Sequence, residues 1–345
     1  MRRMASPRNP SPSFRLVRAM SHPVAYAAGR SGRIPRALAF PGACREKSPP
    51  ILDRVETAAA AIPAAAMSID VEDWFQVENL KSAIARDTWR TRQLRVERNM
   101  DRMLGLMSER GVHATCFILG WIAHRCPALV KRIAEEGHEI ASHGYGHELL
   151  DTLTPDRFRA DVARSRALLQ ELTGSVVRGY RAPAFSIQDW SIPILEEVGF
   201  SYDSSSFPVV AHDRYGQLTG LTTEQTIVEL RPGFHEVSVS CLHVGAKALP
   251  WGGGGYFRLI PYPVFRQGIR RILSGGQPYV FYIHPWEIDA DQPRVEGIRR
   301  DYRFRHYVGL RKCESRFAAL LKDFRWCTVG ELVPAADDTT PATSC

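Results

Sequence analysis

Three histidines fall within fourteen residues, in "GHEIASHGYGHELL" at 137–150. His143 and His147 stand four apart, and on a helical turn that spacing puts two imidazoles on one face. Two imidazoles and a carboxylate leave an open coordination position, the arrangement that a hydrolytic metal needs. Neutral imidazole suits zinc and its divalent neighbours, so residue type points to a divalent cation without naming the ion. His138-Glu139 does not open a second metal motif. The next histidine comes at i+5, on a segment that reads as strand, where the zinc-protease pattern needs i+4 on a helix. Taken alone, a 143/147 pair is more often two loop residues than a metal site, so its meaning depends on what else the fold brings to it.

From residue 67 the chain alternates strand and helix. "AAMSIDV" reads as a buried strand, and "VERNMDRMLGLMSERG" has apolar residues at 96, 100, 103, 104 and 107, with Gly111 as a stop. "HATCFIL" is β-rich. "CPALVKRIAEEG" is a helix with Pro127 near its start, and "HEIASH" is the next strand. "TPDRFRADVARSRALLQELTG" is a helix with Thr154 as N-cap, followed by strand "VVRGYRAP", helix "WSIPILEEVG" and strand "FSYDSS". Beyond 207 the alternation loosens. "EVSVSC" is β-rich, 262–274 is helical, "QPYVFYIHPWEI" is strongly β-rich and 304–322 reads as one helix. Repeated β-α units imply a parallel sheet covered by helices, so the expected fold class is α/β, a deformed (β/α) barrel. In such barrels the reactive groups gather at the C-terminal strand ends.

The strand ends here are polar and the strand interiors apolar. Asp70, followed by Glu72 and Asp73, closes the first strand; His143, Arg181, Asp203 and His284 close four others. Trp74, Phe75, Tyr180, Trp251 and Trp286 offer flat apolar faces near these strand ends, although any single aromatic is more often core. "WGGGG" at 251–255 lacks the Lys-Ser/Thr of a phosphate loop and reads as a flexible turn. No Gly-x-Ser-x-Gly elbow is present, which disfavours covalent catalysis by serine.

The net charge of +8 is confined to residues 1–66, which hold ten Arg and one Lys against three acidic residues; the rest carries 34 of each sign. A nucleic-acid partner is therefore not expected, since its basic patch should lie on the folded part. The stretch 1–66 reads as a leader of transit-peptide-like composition, or as a mis-assigned start before Met67. No apolar run is long enough to span a bilayer. The seven cysteines form no CxxC pair and fit reduced thiols, so cytoplasmic action, or action at the edge of the inner membrane, is the expectation.

"SIDVED", "SHGYGH", "RAPAF", "YDSSSF" and "FYIHP" occur in the order of the five motifs of the NodB-homology polysaccharide deacetylases, the family-four carbohydrate esterases. With "GGGGYFRLIPYPVFRQGIRRI" and "FYIHPWEID", the chain resembles in particular the deacetylases of exosortase (PEP-CTERM) exopolysaccharide loci. The resemblance covers 67 to about 335. It implies a NodB-type barrel whose N-terminal part is 67–210. Residues 211–335 complete it as a C-terminal extension bearing the last motif, and 336–345 form a disordered tail. It also implies metal-dependent removal of N-acetyl groups from N-acetylhexosamines of a polysaccharide or oligosaccharide. Asp70 would be the base, Arg181 its orienting partner, His284 the acid that protonates the leaving amine, and His143 and His147 metal ligands. The family's adjacent Asp-Asp pair is replaced by Asp-Val-Glu-Asp. Asp73 is preferred as the metal carboxylate for its short side chain, with Glu72 as the alternative. Trp74, Tyr180, Pro183, Asp203 and Trp286 are the expected substrate contacts, and Phe207 stands where a Trp is common. A cyclic-amide hydrolase on the same barrel and a catalytically silent glycan-binding barrel are the competing readings.

Overall fold

The computed structural model describes residues 64–207, 216–222 and 224–334. Most of the leader (1–63) and the tail 336–345 lie outside these residues. The strands are β1 Ala65–Val71, β2 Thr115–Ile118, β3 Glu139–Ser142, β4 Gly179–Tyr180, β5 Tyr202–Asp203, β6 Ile227–Arg231, β7 Phe234–Val237, β8 Cys241–Val244, β9 Lys247–Pro250, β10 Tyr279–Ile283 and β11 Trp326–Cys327. The helices are α1 Val96–Ser108, α2 Gly120–Arg125, α3 Pro127–Glu135, α4 Pro155–Thr173, α5 Ile192–Val198, α6 Gly254–Leu259, α7 Tyr262–Ser274, α8 Arg300–Tyr307 and α9 Leu310–Asp323.

One curled sheet runs in the order β10-β1-β2-β3-β4-β5-β7-β6, with β11 added beside β1. Every pairing in it is parallel except β6 with β7. This is the expected α/β barrel in open form. Its free margin is bridged just after β7, where Ser240 N donates to Val280 O at 3.3 Å and Val280 N donates to Ser240 Oγ at 2.8 Å. β1 lies between neighbours and is buried at all seven positions, which is why it reads as a nearly continuous apolar run. Parallel register brings the C-terminal strand ends to one rim: Asp70 lies opposite Phe117, Ser142 opposite Tyr180, and Tyr180 opposite Asp203.

The helices cover the outside through the faces their spacing marks. α1 buries Val96, Met100, Met103, Leu104 and Met107. α4 starts on a Thr154 side chain that accepts from Arg157 N, with Pro155 in its first turn, and stops at left-handed Gly174.

Several expectations change. β1 starts at Ala65, which pairs with Tyr279 and Trp326, so this strand begins two residues ahead of Met67. The helix expected over 304–322 is two helices, α8 and α9, broken at Gly309. That residue has φ +70°, and a Cβ there would come within 2.5 Å of the Arg258 carbonyl oxygen. "EVSVSC" divides between β7 and β8, and β8 pairs with β9 as a separate hairpin. The glycine run is not a flexible turn. Gly253 bridges to Tyr282, and Gly254 opens α6 so close to Glu287 that a Cβ would stand 2.1 Å from its Oε1.

Candidate active site

A cavity of about 440 Å³ opens at the rim of strand ends, with Asp70, Glu72, His143, His147 and His284 at its floor. Glu72, His143 and His147 each offer a ligand atom, all within 4.8 Å of one another, and all three are buried. His143 Nδ1 sits 2.8 Å from the Arg181 carbonyl oxygen. A carbonyl only accepts, so Nδ1 carries the proton and Nε2 keeps its lone pair for the site. Burial above all holds the His143 pKa down at about 4, so the ring is neutral. Glu72 Oε2 is buried and lies 2.7 Å from His147 Nε2. Burial works against its charge, but His147, then His284 and His143, overcome it and hold the carboxyl down at about 2. A buried anion facing two imidazoles is a donor set that fits a divalent cation.

The chain does not reach this geometry through a helical turn. Residues 143–147 form a bend in which Gly144 (φ +69°) and His147 (φ +56°) are left-handed. The bend is fastened by Asp161 of α4, whose carboxylate accepts from Tyr145 N at 2.7 Å and Gly146 N at 3.0 Å. A non-glycine residue with positive φ is held there only by its surroundings, and here Asp161 supplies them.

Asp73, the preferred metal carboxylate, is not part of the cluster. Its oxygens accept from Trp74 N at 2.8 Å, Arg95 N at 2.7 Å and Val96 N at 3.0 Å. It thus caps α1 from outside the helix, satisfying N–H groups that have no partner within it. The alternative, Glu72, is the carboxylate that lies with His143 and His147.

Asp70 Oδ1 receives Arg181 Nη1 at 2.7 Å, and Arg181 is fully buried. The guanidinium also donates to Ser68 Oγ, Ser204 O and Ser204 Oγ, each at 2.8 Å, and lies 4.0 Å over the Phe117 ring. A buried pair with four of the five guanidinium donors directed in this way fixes the orientation of Asp70. Asp70 Oδ2 is 3.9 Å from His284 Nε2, which also lies 3.4 Å from Glu72 Oε1. His284 Nδ1 is held by Glu287 Oε1 at 2.8 Å, and Arg258 Nε pairs with Glu287 Oε2 at 2.6 Å. Burial opposes charge on His284, but Glu287, Glu72 and Asp70 outweigh it and raise its pKa to about 9.

Most of the expected substrate contacts lie elsewhere. Trp74 is core, its Nε1 donating to Gln93 O. Tyr180 is buried between Phe158 and Phe200. Pro183 opens a short turn and does not line the cavity. Asp203 is one layer back: it accepts from Ser205 Oγ, and Ser205 Oγ in turn accepts from Ala182 N. Trp286 lines the cavity but is 4% exposed, stacked against His284 and His306, with Nε1 3.4 Å from Glu72 Oε1. It positions the site and leaves no open face for a sugar ring. Phe207 packs behind Phe185, which does line the cavity.

Sequence reading missed Glu287, Arg258 and Asp161, and the wall residues Ala184 and Phe185, both left-handed at φ 50° and 60°. Only Glu287 had a local signal, as an acid three residues after His284.

Residues 87–202 match the family model described as polysaccharide deacetylase, and residues 204–334 match a domain of unknown function, DUF3473. A peptidoglycan-N-acetylglucosamine deacetylase of Bacillus cereus is 29% identical over 132 residues, 34% of this chain and 48% of that protein. A peptidoglycan deacetylase-like protein of Gibberella zeae is 36% identical over 106 residues, 30% of this chain and 31% of that protein. The chain thus spans half or less of the length of these curated relatives. A crystal structure from Mycobacterium smegmatis, described as a candidate polysaccharide deacetylase, superposes with a TM-score of 0.52 at 21% identity. The match covers 81% of this chain and 91% of that one, a likeness of fold.

Proposed function

With the polysaccharide deacetylase family supported by the family model, the curated relatives and the fold alike, we propose that this chain hydrolyses the N-acetyl groups of N-acetylhexosamine residues in a polysaccharide, using a divalent metal, zinc first among the candidates. The observation that carries the reading is the convergence of Glu72, His143 and His147 beside an Asp70–His284 pair at the floor of one cavity. Glu72, His143 and His147 would hold the ion. Bound there, it would supply an acidified water and polarise the acetyl carbonyl. Asp70, locked by Arg181 through Oδ1, keeps Oδ2 turned to the cavity to take the proton of the attacking water. His284, oriented by Glu287, gives a proton to the amide nitrogen, which leaves poorly without one. Trp286 holds Glu72 and His284 at their spacing and keeps bulk water off that side.

The spelling of the glycine-rich and "FYIHPWEID" stretches supports a role in exopolysaccharide biosynthesis. Cytoplasmic action is part of the proposal, supported by the free thiols of Cys116, Cys126, Cys241, Cys313 and Cys327. The intact base and acid favour a hydrolase over a silent glycan-binding barrel. Asp70→Asn keeps the metal ligands and the Arg181 contact, so metal content stays at the wild-type level. Acetate release from N-acetylglucosamine oligomers is expected to fall by about 10²–10⁴-fold. Release at the wild-type rate would remove Asp70 from the mechanism.

A further inference from the structure

The cavity is larger than the reaction at its floor requires, since an acetamido group occupies only a small part of 440 Å³. Away from the floor it is lined by Val77, by Leu259 of α6, by Phe304 of α8 and by Val308, the residue after α8. Leu259 is 51% and Phe304 58% exposed, unlike the buried apolar side chains of the core. Half-exposed apolar groups on a concave wall gain most from an apolar ligand. Beside them, Glu78 is 3.4 Å from Lys81, and Asn79, Tyr256 and Arg305 each interact within the protein.

The wall is also prebuilt. Arg258 of α6, 3% exposed, donates to the carbonyl oxygens of Arg305 at 3.1 Å and His306 at 3.0 Å in α8, while its Nε holds Glu287. A rigid wall loses little conformational freedom when a ligand meets it.

We propose that α6 and α8 form a subsite for an aliphatic aglycone, an apolar chain attached to the sugar whose N-acetyl group reaches Asp70 and His284. This inference rests on the deacetylase reading and names the kind of glycan that the site takes. The test is calorimetric titration of the zinc-loaded full chain with the methyl and hexyl β-glycosides of N-acetylglucosamine, with acetate assayed in the same samples. The hexyl glycoside is expected to bind about tenfold more tightly, the gain from burying about two of its five additional carbons. In Leu259→Ser/Phe304→Ser, two half-exposed positions that leave the core intact, that ratio falls towards one. Val176→Ser, at a 72% exposed apolar residue that does not line the cavity, must leave it unchanged. Equal affinity for the two glycosides, or a preference untouched by the double substitution, would overturn the subsite. A preference that persists with no acetate released would count against deacetylation and leave the subsite standing.

Discussion

Glu72 and Asp73 are neighbours in sequence with opposite duties, one facing two imidazoles and the other capping α1. Glu72→Ala is therefore expected to reduce bound metal from about one ion per chain to near none while the fold persists. Asp73→Asn keeps the metal and lowers unfolding free energy by about 1 kcal/mol, the usual cost of a lost cap. Metal analysis and urea unfolding of the two variants separate these outcomes; metal loss in Asp73→Asn alone would reverse the assignment. Short side-chain length favoured the acid that caps α1, and no local signal in Asp-Val-Glu-Asp separated the two. His138 is structural, as its place in the strand pattern suggested: its Nδ1 accepts from Ala114 N at 3.1 Å. Burial first, then His113 beside it, lowers its pKa to about 4 from an ordinary 6.5. The unfolded chain thus binds this proton more readily, and the stability due to neutral His138 is full above pH 6.5 and lost as pH falls towards 4. His138→Asn retains an acceptor without that proton, so its melting temperature should fall less between pH 7 and pH 5 than that of the wild type. An equal fall would show that His138 does not titrate in this way.

At the scale of elements, long helices were legible because their signals are local. Thr154, Pro155 and Gly174 bound α4, and the apolar stripe of α1 is the face it buries. The short strands were less so. β4 and β5 have two residues each, because the chain turns as soon as Arg181 and Ser204 enter the barrel interior. The α8–α9 break and the packed glycine run could not be read either, since what forbids a side chain at Gly309 and Gly254 comes from distant parts of the chain. Gly254 tests this. A methyl group there meets the carboxylate that orients His284, so Gly254→Ala should cost about 1–3 kcal/mol of stability by overpacking. It should also lower turnover more than it lowers metal content. Unchanged turnover would separate Glu287 from the positioning of His284.

Across the whole molecule, the site draws on both matched regions. His143, His147 and Arg181 lie within 87–202, His284 and Glu287 within 204–334, and Asp70 and Glu72 precede both. The order of the motifs made the floor of the cavity readable, because parallel strands must deliver their ends to one rim. Its walls were not readable, since α6 and α8 meet through Arg258, a contact between residues far apart in sequence. An ion held by Glu72, His143 and His147 would likewise draw on two separate segments of the chain. The most direct measurement is acetate release from N-acetylglucosamine oligomers by the full chain as purified, after chelation, and after zinc is restored. Release that disappears on chelation and returns with zinc is the predicted result. Release that is indifferent to chelation, or none from a chain shown to hold its metal, would contradict a metal-dependent N-deacetylase.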